Sequence, residues 1–138
     1  MAEPLRIVSL CPSLTETLVE IGVVPVGATR YCLRPREVLR KVPKVGGTKN
    51  PDLDRVGILA PDLVVANAEE NRPEDVAALR RRFAVHVSMP RTVTEIPKMV
   101  RDLGTAAGRP GDAARLAAEI EAAISPPPPA AFRYAYFI

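Results

Sequence analysis

Two cysteines, one histidine and a few clustered carboxylates are the side chains of this 138-residue chain best equipped for chemistry. Cys11 stands in Cys11-Pro12-Ser13, directly after an apolar run, and Cys32 follows Tyr31. Two cysteines are compatible with a disulfide, a soft-metal pair or two free thiols. Without neighbouring histidines they lack a closed zinc set, and plain buried or half-exposed thiols are the expectation. His86 sits between Val85 and Val87 in a strand-like run, where a histidine is usually structural. Without it no Ser/His/Asp or Cys/His triad can be assembled, which argues against hydrolase chemistry. Gly46-Gly47-Thr48-Lys49 invites a phosphate-loop reading, but its spacing is not that of a Walker loop. Glu69 and Glu70, between Asn67 and Asn71, can hold a hard cation or a polar ligand group. The plainer reading is solvated acids ahead of a helix N-terminus.

These residues need a scaffold, and the chain alternates strand-like and helix-like segments. Ile7-Val8-Ser9-Leu10 is short, apolar and β-favouring. Ser13-Leu14-Thr15-Glu16 has capping-box spacing, which predicts a helix capped by Ser13 with Leu14, Leu18 and Ile21 on one face. Gly22 marks its stop. A strand is expected around Val26–Thr29 and a short helix near Pro35–Val42. Asn50-Pro51 reads as N-cap and first helical residue of a helix running to about Leu59. Leu63–Ala66 is a continuous apolar run, as in a strand buried on both faces. A helix over Pro73–Arg82, a strand at Val85–Val87 and a second capping box at Thr92 and Glu95 follow. The helix after it, with Pro97 in its first turns, ends near Gly104 or Gly108. Strand–helix alternation at this spacing predicts an α/β fold: an open, mainly parallel Rossmann-like sheet with flanking helices. Ligands in such sheets bind at the carboxyl ends of the strands, where Cys11–Ser13, Tyr31-Cys32 and Asn67–Glu70 all fall.

Composition narrows the classes. The chain is 47% hydrophobic and 25% charged, ordinary for a globular domain and unlike a disordered tail or a disulfide-dense mini-protein. No apolar run approaches the length needed to span a bilayer. The net charge of +3 is spread over interspersed signs; Arg80-Arg81-Arg82 suits the end of a helix, so no nucleic-acid partner is expected. Aromatics are scarce at 4% and there is no tryptophan, which weakens any base-stacking role. The first six residues show no signal-peptide pattern of a charged segment before a long apolar run. Beyond Gly108 the pattern changes: a helix is expected over Asp112–Ile124 with Leu116, Ile120 and Ile124 on one face. Pro126–Pro129 then form a stiff spacer, and Arg133–Ile138 reads as one more strand.

The order and spacing of six blocks resemble the class III solute-binding proteins of ABC importers, closest to the cobalamin-binding branch. The blocks are Arg6–Glu16, Gly22 with Pro25-Val26-Gly27, Tyr31-Cys32 with Pro35, Val45–Thr48, Pro51–Val56 and Leu59–Val65. The resemblance runs from about residue 6 to 124. It implies two α/β lobes joined by a long helix, with the ligand clamped between them. Residues 1–108 would then be the N-terminal lobe, 109–131 the connecting helix and proline-rich spacer, and 132–138 the first strand of a missing or truncated second lobe. The implied function is substrate binding for an ABC importer of cobalamin, haem or an iron-siderophore, with no catalysis and no intrinsic cofactor or metal.

The resemblance further places Cys11, Pro12, Ser13, Tyr31, Cys32, Gly47, Thr48, Asn67 and Glu69 around the ligand. Tyr31 aligns with an aromatic that packs on the ligand in the cobalamin binders. Asp54 stands where the family carries an acidic residue, usually Glu, that docks on arginines of the permease; aspartate is one methylene shorter. The implied location is periplasmic or extracytoplasmic. The rival readings are a small α/β nucleotide- or cofactor-binding enzyme domain and an intracellular adaptor reusing the lobe, including as a homodimer. The first would need a glycine-rich turn where Cys11-Pro12-Ser13 stands.

Overall fold

A computed structural model of the chain describes residues 3–125, 133 and 135–137. Ile7–Ser9 (β1) forms where the β-favouring run was expected, fully buried. It pairs in parallel with Gly27–Ala28 (β2) on one side and Leu63–Asn67 (β3) on the other. Ala84–Ser88 (β4) extends the sheet beyond β3, again in parallel. Among the described residues the strand order is β2-β1-β3-β4, so the chain turns one way from β1 to β2 and the other way to β3 and β4.

Helices cover both faces because alternate strand side chains point to opposite sides. Ile7, Leu63 and Val65 face one way. They meet Leu14, Leu18 and Ile21 on and beside helix Pro12–Glu20 (α1), and Val100 and Leu103 on helix Ile96–Ala106 (α5). Val8, Leu10 and Val64 face the other way, onto Val56 of helix Leu53–Leu59 (α3) and Leu79 of helix Pro73–Arg80 (α4). A third cluster, Ala28, Cys32, Leu39 and Val42, closes the β2 end beneath helix Arg36–Leu39 (α2). The last described helix is Pro110–Ala123 (α6), packed along α5.

Three local expectations are corrected. Ser13 does not cap α1: the cap position is Cys11, without a side-chain cap bond, and Pro12 takes the first helical position. Proline suits that place because its missing N–H is an orphan there in any helix, which displaces the serine into the first turn. Asn50-Pro51 does not open α3 either. Pro51 bridges Gly46 and the Asp52 N–H donates to the Val45 carbonyl at 2.7 Å, holding the chain extended. Asp52 then caps the helix by accepting from the Arg55 N–H at 3.0 Å. The buried line of α6 is Ala113 and Ala117, with Leu116 and Ile120 only partly buried and Ile124 past the last turn. A Cβ on Gly104 would overlap that of Ala113; small residues set the closest approach of the two helices.

The second capping box forms as expected. Thr92 and Glu95 bond reciprocally, opening a 3-10 turn over Val93–Glu95 that runs into α5. Of the expected terminal strand, Arg133 and Ala135–Phe137 are described and carry no strand pairing; its other residues, and Pro126–Pro129, lie outside the described residues.

Candidate functional site

The order β2-β1-β3-β4 contains a switch point. α1, which follows β1, lies on one face of the sheet, and α4, which follows β3, on the other. The two loops therefore diverge at the carboxyl ends of β1 and β3, leaving a crevice, the usual ligand position in open α/β sheets.

One side chain ties these loops together. Asn71, 2% exposed, donates through Nδ2 to the Leu10 carbonyl at 2.9 Å and the Thr48 carbonyl at 3.0 Å. Its Oδ1 accepts from the Asn67 N–H at 2.9 Å. The loops after β1 and β3 and the 46–49 loop are thus tied at one point. Asn67 Oδ1 accepts in turn from the Glu69 and Glu70 N–H groups, shaping the turn that follows β3. The 46–49 loop is also anchored to β2, through Val45 N–H to Ala28 O at 2.9 Å and Arg30 N–H to Gly46 O at 2.8 Å. Gly46 has φ +92°, and a Cβ there would stand 2.8 Å from the Asn50 carbonyl oxygen and the Asp52 nitrogen. Only glycine adopts that turn without strain.

The residues singled out in the sequence all reach this edge, at different depths. Ser13, Tyr31 and Glu69 are exposed; Pro12, Thr48 and Asn67 are half-buried; Cys11, Cys32 and Gly47 are buried. Tyr31 presents its ring to solvent at 53% exposure, at the end of β2. Cys32 lies 1% exposed below it. Its sulfur is 3.0 Å from Thr15 Oγ1 and 3.2 Å from Thr29 Oγ1, and both hydroxyls are buried. Cys11 Sγ is 3.3 Å from Ser13 Oγ. Both cysteines are free thiols, and among the described residues no group of three or more His, Cys, Asp or Glu side chains could hold a metal ion.

Two residues of this edge carry no sequence signal. Asn71, next to exposed acids in the chain, is the buried tie of the loops; its bond to Leu10 spans 61 positions and has no local signature. Arg30 directly precedes Tyr31 and has no motif of its own. Its guanidinium lies 5.1 Å from the Tyr31 ring centroid.

Asp54 lies apart from the floor, exposed in the first turn of α3. His86 is half-buried in β4, with Val87 and Ser88 beside a cavity of about 210 Å³ that Met89, Met99 and Asp102 also line. Burial pushes its pKa below the usual 6.5, opposed in part by the charge of Asp102.

An open parallel sheet with helices on both faces and its strand-end loops at one edge is the architecture of one lobe of a solute-binding protein. The chain belongs to the periplasmic binding protein family, whose model matches residues 7–126. The fold is similar to that of the periplasmic heme-binding protein RhuT from Roseiflexus sp. RS-1, with 27% identity and a TM-score of 0.79 over 87% of this chain and 47% of that one. It is similar also to the vitamin B12-binding protein BtuF of Vibrio cholerae, with 25% identity and a TM-score of 0.78 over 86% and 48%. A vitamin B12-binding protein of Salmonella choleraesuis is 36% identical over 74 residues, 54% of this chain and 27% of that protein. The chain thus spans about half the length of the solved relatives and about a quarter of the curated one.

Proposed function

We propose that this chain supplies one wall of a two-walled clamp for cobalamin, haem or an iron-siderophore, and that the assembled clamp delivers its cargo to an ABC permease. The observation that carries this is the exposed Tyr31 ring on a floor tied together by Asn71. Side chains of Ser13, Tyr31, Thr48, Asn67 and Glu69 contact the ligand, while Cys11, Pro12, Gly47 and Cys32 shape the backbone beneath them. A flat or bulky chelate lying on this floor gains dispersion and apolar burial from the tyrosine ring and polar contacts from the loops around it.

The course of α6 supports the second wall. Arg109, which precedes α6, donates through Nε to Ile21 O at the far end of α1, and Glu121 near the other end of α6 pairs with Arg101 of α5. Because α1 runs away from the crevice, α6 runs back toward it and ends on the ligand side of the sheet. Residues 1–108 are the lobe, 109–131 the connection, and 132–138 open the second lobe. Asp54, on the outer surface of the lobe, is free to meet a cationic partner such as the arginines of a permease. Its relatives are periplasmic, and the same location is proposed here.

The test is titration of the 138-residue chain with haem, cyanocobalamin and a ferric siderophore, with ATP and NAD as rivals. An intact clamp of submicromolar affinity binds with about −9 kcal/mol. One wall retaining about half of that binds at a Kd of about 0.5 mM. Saturable binding of a chelate in that range, weakened about tenfold by Tyr31→Ala, is the expected result. Binding of a nucleotide in place of any chelate, or of nothing at millimolar concentration, overturns the proposal.

A further inference from the structure

The floor is electrically lopsided. At the β2 end, the Arg30 guanidinium lies over the Tyr31 ring and its Nη2 is 3.3 Å from where a Cβ on Gly47 would stand. Among the described residues Arg30 forms no salt bridge. Two nearby cations are engaged: the Lys49 amine donates to the Glu69 carbonyl, and the Lys44 amine to the Cys32 and Leu39 carbonyls. At the β3 end, two strands away, stand the exposed carboxylates of Glu69 and Glu70. Neighbouring strands lie about 4.8 Å apart, so the two ends of the floor are separated by about 10 Å. That is the scale of a chelate.

We propose that Arg30 is the ligand-recognising residue of the floor and takes a carboxylate of the bound chelate. The site accordingly selects an anionic, carboxylate-bearing chelate over one whose periphery is neutral. The inference rests on the reading that this floor binds a chelate, and goes beyond it by naming the ligand's charge and orientation. Stacking on an aromatic face restrains the guanidinium plane while leaving its edge donors free. A restrained fork meets a carboxylate in two parallel hydrogen bonds and loses little further freedom on doing so. Glu69 and Glu70 repel the same carboxylate, so the anionic edge of the ligand lies over β2 and any donor groups lie over β3. Gly47 leaves room for the Asn50 side chain and the Arg30 guanidinium, both of which a Cβ there would crowd.

The probe pair is haem, which carries two propionate carboxylates, and haem dimethyl ester, which has the same ring and metal without those charges. Both are titrated by absorbance into the wild-type chain, Arg30→Gln and Arg30→Lys at low and high salt, with circular dichroism confirming that each variant is folded. Wild type is expected to bind haem about tenfold more tightly than the ester, as one charge-assisted contact predicts. Arg30→Gln removes the preference by weakening haem and not the ester, Arg30→Lys restores part of it, and salt narrows it. Equal affinity of the wild type for the two porphyrins, or a preference that survives Arg30→Gln, overturns the role of Arg30 while leaving chelate binding intact. Binding of neither porphyrin, with other chelates also unbound, overturns the reading of the floor itself and this inference with it.

Discussion

Asn71→Leu tests whether the floor is held from below by a single side chain. The replacement is close in volume, so little packing is lost, but three hydrogen bonds go: the buried one to Leu10 O and the partly buried ones to Thr48 O and from Asn67 N–H. Each contributes about 1 kcal/mol net, and a partner left dry costs more, so the loss is about 3 kcal/mol. With a urea dependence of about 2 kcal/mol per molar for a chain of this size, the unfolding midpoint falls by about 1.5 M. Asn71→Asp separates donation from shape. It keeps the acceptor for Asn67 N–H but turns a carboxylate toward two carbonyl oxygens. At neutral pH it is therefore at least as damaging as leucine. Acidification brings part of the stability back, because a protonated acid can donate to one of the carbonyls. Equilibrium unfolding followed by far-UV circular dichroism reads both. A drop below about 0.5 M for Asn71→Leu, or an Asp variant that does not recover in acid, refutes the claim that this amide ties the three loops.

Two aspartates two residues apart behave differently: Asp52→Ala removes the α3 cap and costs about 1 kcal/mol, whereas Asp54→Asn, at a surface position without a capping bond, changes stability by less than about 0.5 kcal/mol. Thermal or urea unfolding of the two variants decides it, and equal losses would show that Asp54 is structural and not free for a partner. His86 makes the fold sensitive to mild acid. Burial in β4 lowers its pKa from 6.5, opposed in part by the charge of Asp102, with Glu95 and Lys98 lining the same cavity. The unfolded chain therefore binds the proton more readily, and stability falls as pH drops below about 6.5 until the lower native pKa is passed. His86→Gln flattens that segment of the stability–pH curve; an unchanged slope contradicts the assignment.

Much of the architecture was legible because strands buried on both faces are written as unbroken apolar runs. Ile7–Leu10 and Leu63–Ala66 could be read as strands from their apolar runs, and the reciprocal Thr92–Glu95 pair from its spacing alone. Where two local signals competed, the chain's distant contacts decided. Ser13 and Glu16 have the spacing of a capping box, but Pro12 occupies the first helical position and leaves no cap for the serine to make. Asn50-Pro51 is a good helix opening in isolation, yet the bond from Asp52 N–H to Val45 O keeps those residues extended. In α6 the sequence advertises its largest side chains. The closest packing falls instead on Ala113 against Gly104, because two helices approach most nearly where there is least between them.

The candidate site shows the same division. That Cys11–Ser13, Tyr31-Cys32 and Asn67–Glu69 share one edge follows from counting strands, since every parallel strand delivers its carboxyl end to the same side. Which of them faces outward does not follow, because depth depends on neighbours far away in sequence. Tyr31 and Cys32 are adjacent in the chain, yet one is half-exposed on the floor and the other is sealed between Thr15 and Thr29. The same geometry gives Asn71 its importance. In a sheet ordered β2-β1-β3-β4 the loops after β1 and β3 part company, and a crevice that opens for a ligand also exposes carbonyls that need a donor. One asparagine, hydrogen-bonded to both sides, satisfies Leu10 and Thr48 together. It leaves Tyr31 and Arg30 exposed at the same edge of the sheet.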